Sequence, residues 1–336
     1  CWEHALVARL YPEKREVPIR PLNPARDLGQ LADLIENAFG EELSDGGMKV
    51  LREIRFLSWL GPFSYLLYGS GSELDGMFSG LVWEHEGQVV GNVSVNRTGG
   101  QGARWQISNV AVMDRFRGQG IGRRLVEAAL DSIIRRGGEV AYLYVREGNV
   151  PALQLYSALG FTEVDRVTEL KLLPRRRSRS PRMTLLQPLR PADQQALYEL
   201  IRVAEGPGQQ WLRTIQRRHY VVTADERLIK WLGGLFTGER ETRWAVTGPA
   251  GLGAAVSLHS TRLWNPKPHR LRLWVHPDRR GDLEAQLASD VVTLVSRQAA
   301  RPAWASLPAC EERATAALMD HEFRPVRTLI LMRRQL

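Results

Sequence analysis

The sequence predicts a mixed α+β protein built from two copies of one unit, and three observations predict it. Apolar residues recur at three- and four-residue spacing in some stretches and alternate with polar ones in others, so helices and strands are interleaved. The run Pro21-Leu22-Asn23-Pro24-Ala25, followed by an amphipathic stretch to Phe39, returns as Pro188-Leu189-Arg190-Pro191-Ala192 with a similar stretch to Val203. Between the copies lies Pro174-Arg175-Arg176-Arg177-Ser178-Arg179-Ser180-Pro181-Arg182, a segment without an apolar residue, with repelling charges and a proline near each end. The chain has 336 residues, enough for two domains of roughly 100–200 residues each. The expected division is residues 1–173, a linker at 174–182, and residues 183–336.

Within the first copy, Leu31, Leu34, Ile35 and Ala38 mark one helix, and Val50, Leu51, Ile54 and Leu57 a second that ends near Gly61-Pro62. Leu81 to His85 and Val89 to Val95 flank Glu86-Gly87 and read as a hairpin, which leaves His85 as an exposed turn residue. After Gly99-Gly100 a third strand runs from Trp105 to Val112. A glycine-rich turn then opens a helix that Gly137-Gly138 closes. A strand follows at Val140 to Val145, then a helix from about Val150 to Leu159, capped by Asn149 and ended by Gly160. Phe161 and the alternating Val164, Val167, Leu170 and Leu172 are echoed by Phe323, Val326, Leu329 and Leu331.

With 43% hydrophobic and 25% charged residues, the chain is neither disordered nor fibrous. No apolar stretch approaches the ~20 residues a membrane helix needs, and Cys1 to Pro18 carries charges where a signal peptide is apolar. A cytoplasmic protein is expected. Cys1 and Cys310 offer neither a disulfide framework nor a metal ligand set. Residues 1–173 hold 19 Lys/Arg and 22 Asp/Glu, a net of −3; residues 174–182 add +5; residues 183–336 hold 22 and 15, a net of +7. The basic surplus therefore lies outside the first copy. Arginine far outnumbers lysine, and no aromatic-interleaved basic strand accompanies the surplus, so nucleic acid is not expected as a partner.

The chemistry-bearing stretch is Val110-Ala111-Val112-Met113-Asp114-Arg115-Phe116-Arg117-Gly118-Gln119-Gly120-Ile121-Gly122-Arg123. A strand runs into a glycine-rich turn that opens a helix, so backbone N–H groups converge at the positive helix end, where a pyrophosphate can sit. Glycine in a helix costs about 1 kcal/mol against alanine, which favours a binding reason for Gly120 and Gly122. A dinucleotide fingerprint needs glycine where Arg123 stands, and a Walker loop needs Gly-Lys-Ser/Thr; neither is present.

The segment resembles the acyl-CoA binding loop of the GNAT N-acetyltransferase superfamily, whose Arg/Gln-x-x-Gly-x-Gly/Ala pattern is filled by Arg117, Gly120 and Gly122. A second family block follows as Asn149-x-x-Ala152-x-x-Leu155-Tyr156-x-x-x-Gly160-Phe161. The resemblance covers residues 17–173, and the second half as a degraded copy, so it implies two tandem GNAT-like folds. It implies acetyl-CoA as cosubstrate and no metal, with cofactor contacts from Val110, Ala111, Val112, Arg117, Gly118, Gln119, Gly120, Ile121, Gly122, Arg123, Asn149 and Tyr156. The implied reaction is direct attack of an amine on the thioester in a ternary complex. The strand 105–112 splays from 140–145, backbone N–H groups near Val110 and Val112 polarise the carbonyl, and Tyr156 protonates the departing thiolate, as a phenol of pKa near 10 can.

Many family members place a glutamate on the strand before the loop; here Gln106-Ile107-Ser108-Asn109 supplies no carboxylate. The amine arrives neutral, loses its proton through water held by Ser108 or Asn109, or meets Glu41, Glu42 or Asp45. A non-catalytic CoA-binding sensor and an acyl-CoA enzyme with a thiol or hydroxyl acceptor stand as alternatives, and the amine acceptor is open. In the second copy Leu283 stands opposite Gly120 and Ala285 opposite Gly122. Asp282 and Glu284 bring negative charge, while Leu318 and Glu311 stand opposite Tyr156 and Asn149. One acetyl-CoA per chain is expected.

Overall fold

The structure is a computed structural model, and it describes residues 18–40, 48, 51–52, 54–55, 79–98, 103–174, 183–212, 215–221, 238–248, 251–261 and 267–336. It divides into two compact units, residues 1–143 with 334–336 and residues 144–333.

In the first unit, β1 (Ile19–Pro21) turns through Asn23 into α1 (Pro24–Phe39). The Asn23 side chain accepts from the Ala25 N–H at 3.1 Å, a cap made possible because Pro24 needs no donor partner. β2 (Gly80–His85) and β3 (Gln88–Arg97) form the expected hairpin. Its turn has Glu86 at φ 50° and Gly87 at φ 79°, the positive pair that matches strand twist. β4 (Arg104–Val112), α2 (Ile121–Arg135) and β5 (Val140–Arg146) follow, the boundary between the units falling within β5. The strands stand in sequence order, antiparallel except for the parallel pair β4 and β5.

Two helices cover the two faces of this sheet. α1 packs Leu28, Leu31 and Leu34 with Val82, Val89 and Ala111, while α2 buries Ile121, Leu125, Val126, Ala129, Leu130 and Ile133. The start of α2 lies close on β3 because Gly91 has no side chain: a Cβ there would stand 2.9 Å from Leu125 Cδ1 and 3.1 Å from Ile121 Cγ2. Of the second helix expected near Val50, Leu51 and Ile54 are helical and buried; its end lies outside the described residues.

The second unit contains α3 (Val150–Ala158), β6 (Thr162–Leu172), β7 (Gln187–Pro188), α4 (Gln194–Ala204), α5 (Pro207–Leu212), β8 (Glu239–Gly248), β9 (Gly251–Thr261), β10 (His269–Val275), α6 (Glu284–Ser296), β11 (Ala303–Pro308), α7 (Glu312–Asp320) and β12 (Arg324–Gln335). From β7 onward the chain repeats the strand and helix order of the first copy. The sheet order is β12-β6-β11-β10-β9-β8-β7. α4 packs on one face against Ala245, Ala255 and Trp274; α6 and α7 pack on the other with Val256, Leu273 and Val275.

One feature of this sheet lay beyond sequence patterning. β6, the last strand of the first sequence copy, sits between β11 and β12 of the second, antiparallel to both, from Ala303↔Leu172 to Pro308↔Val167 and from Arg324↔Lys171 to Arg333↔Thr162. The compact units therefore divide inside β5 and not at the linker, of which residues 175–182 lie outside the described residues.

Candidate functional site

β4 does two things that a regular strand does not. Its register on β3 shifts: Asn92 faces Ala111 and Ser94 faces Ser108, so Val93 alone opposes Asn109 and Val110. This is a β-bulge, with Asn109 at φ 50°, a backbone region asparagine enters more readily than most residues. Two buried side chains hold it. Asn92 Nδ2 donates to the Asn109 carbonyl at 3.0 Å, and Asn109 Nδ2 donates to Ser94 Oγ at 3.1 Å. On its other edge, β4 pairs with β5 only from Arg104↔Val140 to Gln106↔Tyr142 among the described residues, while β4 itself continues to Val112. The expected parting of these strands is present, and it begins just before the bulge.

The loop after β4 makes one tight turn at Asp114–Phe116 and then extends at Arg117. Gly118 has φ 76° and Gly120 φ 77°, values that oppose any side chain through their backbone conformation. A Cβ on either would meet nothing within 4 Å, so the space over the loop is open. Gly120 caps α2 with no side-chain hydrogen bond to the helix end. The first N–H groups of α2 therefore lack an internal cap, as an anion-binding helix start requires. Ile121 and Ala111 bury their side chains, leaving their backbone as what they can present to a ligand.

Arg117 donates through Nε to the Val112 carbonyl at 3.2 Å and pairs with Asp114 at 2.8 Å. Arg123 pairs with Glu127 at 2.9 Å. Both side chains are about half exposed, and such surface pairs are worth at most about 1 kcal/mol, so either guanidinium is readily redirected to a phosphate, a stronger bidentate partner. Gln119 reaches back to the Arg115 carbonyl at 3.3 Å, and Gly122 lies in the first turn of α2. Arg124 lies over the Trp83 ring, 5.8 Å from its centre. His85 is exposed at the hairpin end, as expected.

In the second unit, Asn149 Oδ1 accepts from the Ala152 N–H at 3.2 Å, the cap read from the sequence. Tyr156 is 7% exposed and packs edge-on to Phe161 at 5.9 Å. Among the described residues nothing hydrogen-bonds to its hydroxyl, and burial pushes its pKa up to about 12.

The degraded copy shows the same loop closed by its own side chains. Glu284, 5% exposed, folds its carboxylate onto the Gly281 N–H at 2.7 and 2.9 Å and the Leu283 N–H at 3.2 Å. Glu311, 2% exposed, accepts from the Val275 N–H at 3.2 Å and from Arg280 Nη2 at 3.1 Å. Desolvation raises the Glu311 pKa. By the alignment of Arg117 with Arg280, Val275 corresponds to Val112, so both groups a cofactor would engage already have carboxylate partners. β10 also lacks the bulge, since its register on β9 is unbroken.

Sequence reasoning anticipated the charge of Glu284 but missed Asn92 and Ser94. Their signal was visible: Asn92, Ser94 and Asn96 alternate with valines in a strand whose interior is buried on both faces. The candidate bases Glu41, Glu42 and Asp45 lie outside the described residues. Among the described residues no helix is long and apolar enough to cross a membrane, and no group of His, Cys, Asp and Glu is placed to hold a metal.

Residues 47–161 match the family described as Acetyltransferase (GNAT) family, and the chain belongs to that family, in a form with two GNAT-like halves. Mycothiol acetyltransferase of Thermobispora bispora is 30% identical over 154 residues, 45% of this chain and 48% of that protein. The ribosomal protein bS18-alanine N-acetyltransferase of Escherichia coli is 42% identical over 55 residues, 16% of this chain and 37% of that one. The chain thus spans about half the length, or less, of these relatives. Among solved structures, a GCN5-related N-acetyltransferase from Sphaerobacter thermophilus aligns over 94% of this chain and 95% of its own, with TM-score 0.59 at 18% identity. A tandem GNAT protein from the clavulanic acid biosynthesis pathway aligns over 94% and 98%, with TM-score 0.51 at 17% identity. These likenesses show the fold, a mixed α+β architecture of two GNAT-like halves.

Proposed function

We propose that this chain is an N-acetyltransferase that moves an acetyl group from acetyl-CoA to a primary amine of a small molecule or protein, by direct attack in a ternary complex. The observation that carries the reading is the uncapped start of α2 beneath Gly118 and Gly120, open on its outer side and joined to a bulged strand that leaves its neighbour. Acetyl-CoA supplies the activated thioester. The α2 N–H groups and Arg117 hold its pyrophosphate. N–H groups near Val110 and Val112 bind the carbonyl oxygen as it gains negative charge. The amine nitrogen forms the new C–N bond, the C–S bond breaks, and the leaving sulfur takes a proton. Tyr156, by resemblance, is the donor, and its raised pKa keeps it protonated at neutral pH.

The absence of a carboxylate from Gln106 to Asn109 favours one rival, a CoA-binding sensor without turnover. Release of free CoA in the presence of amines separates the two. Calorimetric titration with CoA tests the site itself. Wild type should bind, and Gly120→Glu should not, because it places a like charge at the phosphate position. Undiminished binding by Gly120→Glu would remove the assignment.

A further inference from the structure

One face of the β3–β4 ladder is a row of neutral polar side chains. Asn92, Ser94 and Asn96 come from β3, Gln106 and Ser108 from β4, and the register sets Ser94 opposite Ser108 and Asn96 opposite Gln106. The other face is apolar: Val93, Val95, Trp105 and Ile107 are buried there, and Gly91 lies under α2. A polar row in a buried strand is ordinarily explained by mutual hydrogen bonding. Here that explanation is incomplete. Asn92 is 0% exposed, yet its Oδ1 has no hydrogen-bond partner, and the buried Oδ1 of Asn96 has none either.

The orientation of Asn92 is fixed by its other end. Its Nδ2 donates to the bulged Asn109 carbonyl at 3.0 Å; a flipped amide would set two oxygens against each other. Oδ1 is therefore left as an acceptor. Two acceptor oxygens without donors, on one face and one hydrogen bond from the bulge, are complementary to a ligand that brings N–H or O–H groups. An alkyl ligand would leave them unpaired, and an anion would meet oxygen with oxygen.

We propose that this row is the acceptor subsite, and that it takes an amine flanked by hydroxyl or amide donors, held through Asn92 Oδ1 and Asn96 Oδ1. The inference rests on the proposed acetyltransferase reading, which puts the thioester at the bulge. Ser108 and Gln106 complete the row as groups able both to donate and to accept, so the subsite orients its ligand without adding charge.

The test compares two amines of similar ring size, glucosamine and cyclohexylamine, in calorimetric titrations of the full chain with and without saturating CoA. Wild type should bind glucosamine about tenfold or more tightly than cyclohexylamine, the discrimination one or two buried hydrogen bonds provide. In Asn96→Leu, which keeps the size and removes the acceptor, that ratio should fall to about one. Equal binding of the two amines by wild type overturns the proposal, and so does an unchanged ratio in the variant. Should the variant not fold, the wild-type ratio still decides. Acetyl-CoA binding, measured in parallel, reports on the transferase reading separately: selective glucosamine binding without acetyl-CoA binding keeps the subsite and removes that reading.

Discussion

Burial decides what Tyr156 can do. Its ring is held against Phe161, and its pKa is moved from 10.0 to about 12 by desolvation. The phenol is neutral in the folded protein well past the pH at which an unfolded chain's tyrosines ionise. Its contribution to stability is full below about pH 10 and is lost as pH rises through 12, because the unfolded state releases its proton first. Tyr156→Phe keeps the packing and removes only the donor, so kcat should fall on the order of 10²-fold with CoA affinity little changed. An ultraviolet difference titration of wild type against this variant should show one late-ionising tyrosine. Unaltered kcat would leave Tyr156 a packing residue.

At the scale of elements, a single carboxylate can organise a chain entry. Asp290 on α6 is 2% exposed and accepts from the N–H groups of Thr184, Leu185 and Leu186 at 2.7–3.1 Å. It ties the start of the second copy to a helix about a hundred residues later. Asp290→Ala would leave these donors without a partner in a largely buried setting, at a cost of about 3 kcal/mol. Urea unfolding should show that loss as a lower midpoint with little change in slope, whereas a midpoint within experimental error of wild type would mean that water replaces the carboxylate. The β4 bulge is the converse case, an irregular element whose shape is set by Asn92 and Ser94 through side-chain bonds.

At the scale of the whole molecule, two copies of one fold should provide one cofactor site. Ile121 and Glu284 stand at corresponding positions. The first sends its side chain into the core and leaves the helix start open; the second turns its carboxylate onto that start. With Glu311 on the Val275 N–H, the second loop is occupied by its own side chains, and an entering anion would face two carboxylates. Isothermal titration with CoA should give a stoichiometry near one per chain. Two equivalent sites would overturn this division of labour.

Much of this was legible in the sequence. The hairpin at Glu86-Gly87, the Asn149 cap, the glycine loop and the repeated element order follow from local rules, because turns, caps and period are set by neighbours in the chain. The negative charge that Glu284 brings to the second loop was legible for the same reason. Three features were decided only in three dimensions. The bulge depends on Asn92 and Ser94 meeting Asn109 across strands. The closing of the second loop depends on Glu311 reaching Val275, far away in sequence. β6 takes its place between β11 and β12 because its apolar Leu170 and Leu172 find their burial in the core of the second copy. Local propensity specifies that a strand forms there, but strand partners are chosen by which buried surface is completed, and that is a property of the folded molecule.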